Sequence, residues 1–369
     1  MSPTQVEIQL IAAVTAAACA LPGVFLVLRR MAMMSDAISH SILLGIVLAF
    51  FATRDLSSPL LLVAAALTGL LTVALVELLG RTRLLKEDAA IGLVFPVLFS
   101  IGVILIARYA GDVHLDTDSV LLGELAFAPF SRFELFGIDW GPASLATMLG
   151  ALLANAVFLL LFYKEMKIST FDPGLAAVLG ISPAFFHYTH MALVSVTAVA
   201  AFDAVGSILV VALMIGPPAT AYLLTDRLPV MISLSVAIGV VSSLAGYWLA
   251  HSIDASIAGS MAAMTGFTFL LALFLAPGRG LAAISHRRHR QRLDFAGQML
   301  AVHLLQHEGD PDEPYESSLP QLEEHFRWDS GFAQRIVRLG VREELVVLEG
   351  DCLRLTEDGR ELARRVVVR

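Results

Sequence analysis

Nine apolar runs dominate this chain, at residues 8–28, 31–51, 59–80, 89–107, 143–163, 184–201, 203–223, 229–250 and 255–276. Each is close to the roughly 20 residues that an α-helix needs to cross a hydrocarbon core about 30 Å thick. Of the 369 residues, 57% are hydrophobic and only 16% charged, which excludes a chain that is soluble throughout. Charge is unevenly spread, because residues 285–369 hold 13 of the 25 Lys and Arg. The sequence therefore predicts an all-α polytopic membrane domain over 1–280, a basic juxtamembrane linker over 281–292 and a small polar domain over 293–369. The net charge of −8 argues against nucleic acid or anionic lipid as the main partner, since both favour a basic excess. Cys19 lies in an apolar run and Cys352 in the polar tail, a pair with neither disulfide nor metal-site spacing.

Orientation follows from the Lys/Arg asymmetry of short loops. If all nine runs cross, one side receives Arg29, Arg30, Arg81, Arg83, Lys86, Lys164, Lys167 and Arg227, and the other only Arg54, Arg108 and Arg132. That bias predicts an outside N-terminus and a cytoplasmic C-terminus. No Lys or Arg precedes the first run and Arg29-Arg30 follow it, the reverse of a cleaved signal peptide. Runs 184–201 and 203–223 are separated only by Phe202 and Asp203, so they form either a tight hairpin or a broken helix.

Ionisable groups inside such runs cost on the order of 2.5–3.5 kcal/mol to insert and usually face the bundle interior or a water-filled path. Asp36 and His40 are four apart, which puts carboxylate and imidazole on one helix face, one turn apart. One oxygen and one nitrogen could hold a single ion; the donor set suits Mn, Fe or Zn, and the lack of nearby Cys or Met pairs argues against Cu(I). The competing reading is a helix cap at Asp36 and a bundle hydrogen bond at His40. Asp203 is a pathway ligand or, as the safer assignment, a hairpin cap. Glu77 reads as a snorkelling side chain or a partner of Arg81, His187 and His190 as structural, and His251 with Asp254 as an outside turn that could meet an incoming ion or a docked protein, or is simply solvated.

The long outside loop 108–142 carries Asp112, His114, Asp116, Asp118, Glu124, Glu134 and Asp139, an acidic face that suits a cation, although solvated charge explains it as well. Its apolar part, Ser119 to Phe130, could pack on the bundle and carry Glu124 towards the path. On the inside, Asp172-Pro173-Gly174 opens a helix that ends at Gly180, too short to span. Small residues at Ala176, Ala177 and Gly180 would let it lie in a groove on another protein, or it is an ordinary interfacial helix. No G-x-x-x-x-G-K-[ST] and no H-E-x-x-H occurs. An ATP-driven permease that borrows its motor, an ion-coupled secondary carrier using Asp36 or Asp203, and a membrane-tethered sensor remain open on residues alone.

Three stretches carry a family likeness: Met34-Ser-Asp-Ala-Ile-Ser-His-Ser-Ile-Leu-Leu-Gly45, His114-Leu-Asp-Thr-Asp-Ser-Val-Leu-Leu-Gly-Glu124, and the segment from Asp203 through Gly216-Pro217-Pro218 to Ala221. Spread in order over residues 8–276, they resemble the manganese/zinc/iron ABC importer permeases. The resemblance implies a type II importer fold in the bacterial inner membrane, a dimer with a second permease subunit (identical or not), two cytoplasmic ATPases and an extracytoplasmic metal-binding protein. The chain itself would be no enzyme and hold no resident cofactor; Mn2+, with Zn2+ or Fe2+ as alternatives, would be the cargo, and ATP would sit on the partners. By the same likeness Asp36 and His40 match the intramembrane metal pair, Glu124 and Asp203 are further metal positions, and the 172–180 helix, with Asp172, Ala176 and Gly180, matches the segment that docks on the ATPase. In the tail, a helix at 293–307, a pair at 319–325 and 330–340, a hairpin from Leu345 to Leu355 turning at Gly350-Asp351, and a last helix are similar to the α+β winged-helix domain of metal-dependent repressors. From Asp294 onward the tail has 16 acidic residues against 9 Lys/Arg, the wrong sign for a DNA reader, so a regulatory or docking role is expected.

Overall fold

A computed structural model describes residues 2–54, 58–82, 84–109, 125–135, 138–350 and 352–367. They divide into two compact units, Met1–Arg279 and Gly280–Arg369. The first contains α1 (Pro3–Leu28), α2 (Ala32–Thr53), α3 (Pro59–Arg81), α4 (Glu87–Tyr109), a two-stranded ribbon β1–β2 (Arg132–Leu135, Ile138–Pro142), α5 (Ala143–Leu161), the short helices α6 (Tyr163–Phe171) and α7 (Pro173–Val178), α8 and α9 within Pro183–Leu224, α10 (Leu228–Ile253) and α11 (Ile257–Leu275). Nine helices among the described residues are long and apolar enough to cross a membrane, at the positions that the nine runs indicate.

Start signals are local. Ser2 and Gln5 form a reciprocal cap ahead of Pro3, and Ser58 and Ser182 each accept a backbone N–H just before a proline at the first helical position. Packing then sorts the helices: α1 is 72% buried and α2 61%, whereas α5 is 22% and α4 28%. α1 is therefore the central post, packed by α5, by the α8–α9 segment and by α10, and the outer helices keep apolar faces for lipid or another subunit.

The split near Asp203 is a reversal. Gly206 has φ +77° and ψ 165°, outside the helical region and open to glycine at little cost, which breaks Pro183–Leu224 into two arms, α8 before Gly206 and α9 after it. The ring of His190 lies 3.0 Å from the Pro22 carbonyl, while Gly23, one residue on, lies directly against the Met214 carbonyl. Residues 190 and 214 thus sit at one level of α1, and Phe186 and Ala221 share a core cluster with Phe25, so the two arms run antiparallel.

Polar contacts fix which helix ends lie together. Arg132 of β1 pairs with Glu7 at 2.9 Å, placing the ribbon beside the start of α1. At the other end Arg29 reaches Thr170 at 3.1 Å and His187 at 3.2 Å, and Glu77 reaches His187. Arg279 donates to the Tyr222 carbonyl at 2.7 Å and pairs with Asp226. This alternation is what nine consecutive crossings require.

The second unit contains α12 (Leu281–His307), α13 (Glu313–Glu316), α14 (Leu319–Phe326), α15 (Ser330–Arg342), the hairpin β3–β4 (Val346–Glu349, Cys352–Leu355) and α16 (Glu357–Val367). Its core joins Leu300, Leu304, Leu322, Ile336 and Leu353. The hairpin pairs Val346 with Leu355 and Glu349 with Cys352, and Gly350 turns at φ +68°. One difference from the sequence reading is that α12 is unbroken through 281–292, where a linker was expected. The segment has no Gly or Pro after Gly280, and its Leu, Ala, Arg and Gln are good helix formers. The β1–β2 ribbon is a second difference, too short for alternation to announce it.

Candidate functional site

α2 is a polar helix in an apolar setting. Ser35, Ser39 and Ser41 are buried and satisfy themselves by donating to carbonyls three or four residues back, and Thr72 of α3 donates to Ser41 at 2.6 Å. Gly45 lets α3 approach so closely that an added Cβ would meet the Ala64 carbonyl at 2.4 Å. These contacts fix the rotation of α2 and hold Asp36 and His40 on a different face. The Asp36 and His40 side chains lie 3.4 Å apart and stay 32% and 28% exposed. Phe95 stacks on His40 with ring centres 5.9 Å apart, and Phe99 meets it edge-on at 6.0 Å, so α4 limits how the imidazole can turn. Asp36 does not cap α2, because the cap position is Met31, without a side-chain bond, and His40 contacts Asp36.

At the Arg29 end a polar network spans four helices. The Arg29 guanidinium contacts Thr170, Ser169 and His187; His187 Nε2 lies 2.5 Å from Glu77, which also accepts from the Tyr188 hydroxyl and pairs with Arg81 at 3.9 Å. A cavity of about 450 Å³ opens beside it, lined among others by Arg30, Pro173 and Pro183. The sequence offers Glu77 as a snorkelling side chain or a partner of Arg81 and His187 as structural; nothing in local spacing signals an Arg 158 positions away. His190 is buried on the Pro22 carbonyl, a structural position.

The network borders α7. Asp172 caps this helix by accepting from Leu175 N at 2.9 Å, and Gly180 ends it at φ +78°. Ala176 is fully buried, and the apolar side chains left outside are Leu175, Val178 and Leu179, with Val178 84% exposed. Glu124 and the acidic residues from 112 to 118 lie outside the described residues. Asp203 is described only in its backbone, on the reversal between α8 and α9.

Membrane-length helices around a central post, a carboxylate–imidazole pair within one of them and an exposed apolar helix at the end of the bundle define a multi-pass membrane transport subunit. Residues 4–276 match the model of the ABC 3 transport family, and the chain belongs to that family. It is a membrane permease, and the P-loop that an ABC motor needs is absent from its sequence. The chain is 48% identical to the zinc transport system membrane protein TroD of Treponema pallidum, over 97% of each chain. It is 47% identical to the manganese transport system membrane protein MntD of Bacillus subtilis, over 76% of this chain and 94% of that one. The solved structure of PsaBC from Streptococcus pneumoniae in complex with Fab superposes with a TM-score of 0.62 at 28% identity, covering 76% of this chain and 94% of that one.

Proposed function

We propose that this chain forms the membrane path of an ATP-driven importer of divalent transition-metal ions, manganese first and zinc or iron next, in the bacterial cytoplasmic membrane with its C-terminus inside. The observation that carries the reading is the Asp36–His40 pair, 3.4 Å apart on one face of α2. A hard oxygen and a borderline nitrogen suit Mn2+, Zn2+ and Fe2+, and the names of the similar proteins include zinc and manganese transport. Two donors from one chain hold an ion weakly, which transport needs, because the ion must leave as well as enter. The partial exposure of both side chains lets a second permease subunit complete the path. Glu124 and Asp203 serve as further ligands along it.

Two cytoplasmic ATPases dock at the 172–180 segment, with Asp172 and Gly180 setting its ends and Ala176 seating it on the bundle. An extracytoplasmic metal-binding protein delivers the ion at the Glu7 end. Motion at α7 reaches the bundle through Thr170, Arg29, His187 and Glu77. The test is elemental analysis for Mn, Fe and Zn in cells expressing the complete transporter, comparing wild type with Asp36→Ala and His40→Ala at matched protein levels. A selective rise that both substitutions abolish is the expected result. Accumulation unchanged by either substitution removes the site assignment, and no accumulation by the wild type removes the importer reading.

A further inference from the structure

The second unit contains a group of metal-ligating side chains far in sequence from the α2 pair. His303 and His307 are one turn apart on α12, and α13 folds back to bring Glu316 beside them. One ligand atom from each of the three lies within 4.8 Å of the others. This is the one group of three or more such residues among the described residues.

The surroundings are built rather than incidental. His303 is 4% exposed, and its Nε2 lies 3.1 Å from the Glu316 carbonyl and 3.7 Å from Glu316 Oε2. The turn carrying Glu316 is pinned to β4, because Leu353 N donates to the Ser317 carbonyl at 3.1 Å and the Cys352 thiol to the Pro314 carbonyl at 3.3 Å. The ring of His325 on α14 is 4.7 Å from that of His303, as is the ring of His307.

An independent observation points to an absent partner. Glu316 Oε2 is shielded from solvent and has no hydrogen-bond donor. No Lys or Arg pairs with Glu316 among the described residues. A shielded carboxylate oxygen without a donor is unfavourable unless a cation or proton meets it. A metal ion held jointly by His303, His307 and Glu316 would meet that oxygen.

We propose that His303, His307 and Glu316 form a binding site for a divalent first-row transition-metal ion in the C-terminal unit. Two imidazoles and one carboxylate are a donor set for such ions, with Zn2+ expected to bind more tightly than Mn2+ at a given site of this kind. Ligand atoms about 2.1 Å from a common ion are roughly 3–3.5 Å apart, so the group contracts by about 1 Å on loading. Three protein donors leave positions for water or for His325, a site that exchanges its ion rather than a closed structural one. The site does not depend on the transport reading, since none of its residues lies in the membrane unit.

The experiment uses the purified, tag-free full-length chain in detergent with Asp36→Ala and His40→Ala already present, so that metal on the α2 pair does not contribute. Equilibrium dialysis against Zn2+, and separately Mn2+, is read by elemental analysis, with Co2+ absorption reporting the ligands. The expected result is one saturable equivalent of Zn2+, weakened by about tenfold or more in both His307→Ala and Glu316→Gln. His307 is at the edge of the core, and size-exclusion profiles and circular dichroism check that each variant is folded; if His307→Ala is not, Glu316→Gln decides. A parent chain that binds no Zn2+, or variants that bind it as the parent does, overturns the proposal.

Discussion

Replacing Gly45 by alanine adds a single carbon where α2 and α3 have no room for it. The Cβ would lie 2.4 Å from the Ala64 carbonyl oxygen, 2.7 Å from its carbon and 2.4 Å from Thr68 Oγ1, against an ordinary contact of 3.4 Å or more. Thr68 could turn away, losing its 2.9 Å bond to the Ala64 carbonyl, but the backbone carbonyl moves only if the helices part by about 1 Å. Overpacking of this kind costs about 1–3 kcal/mol. Alanine also recovers about 1 kcal/mol of helix propensity, which would blur a comparison with wild type. Gly266 of α11 supplies the control: it too is inside a helix, but a Cβ there meets nothing within 4 Å. The propensity gain cancels between the two, so Gly45→Ala should be less stable than Gly266→Ala by the full ~1–3 kcal/mol. Thermal unfolding in detergent, followed by dye labelling of the fully buried Cys19 thiol, measures the difference. Because α2 also carries Asp36 and His40, metal uptake at a permissive temperature should fall in the first variant and not in the second. A Gly45→Ala protein that melts with Gly266→Ala or above it would refute the close approach of α2 and α3.

Two further substitutions address the Arg29 end. Glu77→Ala leaves the Arg29 guanidinium 3.2 Å from an imidazole with no carboxylate between α3 and α8, and unfolding in detergent should show a loss of about 2–3 kcal/mol, below the fully buried range because Glu77 is 24% exposed. Tyr188→Phe removes one of the same contacts and should lose less in that assay. Val178→Asp places a charge on the most exposed apolar residue of α7, so the chain should still insert and melt normally while co-purification of the ATPases drops; unchanged co-purification would move the docking surface elsewhere.

What could be read in advance followed from period and punctuation. Nine crossings are visible because each needs an unbroken apolar run, and α7 because Asp172, Pro173 and Gly180 supply a cap, a first-turn proline and a left-handed stop within nine residues. The same holds for α14, α15 and the Gly350 hairpin. The Asp36–His40 pair was legible because both residues share one helix turn. The Arg29–His187–Glu77 network was not, since nothing in a single chain's periodicity says which helices become neighbours. Glu316 could not be joined to His303 for that reason: the connection depends on how the 308–312 turn folds back. The residues of 281–292 favour a helix by propensity, but the run of Arg and His carries no apolar period to announce one.

The reversal between α8 and α9 bears on how this chain is made. Two membrane-length helices joined with no connecting loop give the insertion machinery no soluble segment at which to pause between them. Inserted singly, α8 would leave Asp203 and the reversing backbone at its leading tip with α9 still to follow; inserted together, the arms reach their depth in one event and shield each other's polar edge. The pair is then the unit of biogenesis, and a short polar insertion at Gly206 that topology rules would tolerate should instead arrest assembly, detectable as a protease-sensitive intermediate in membranes.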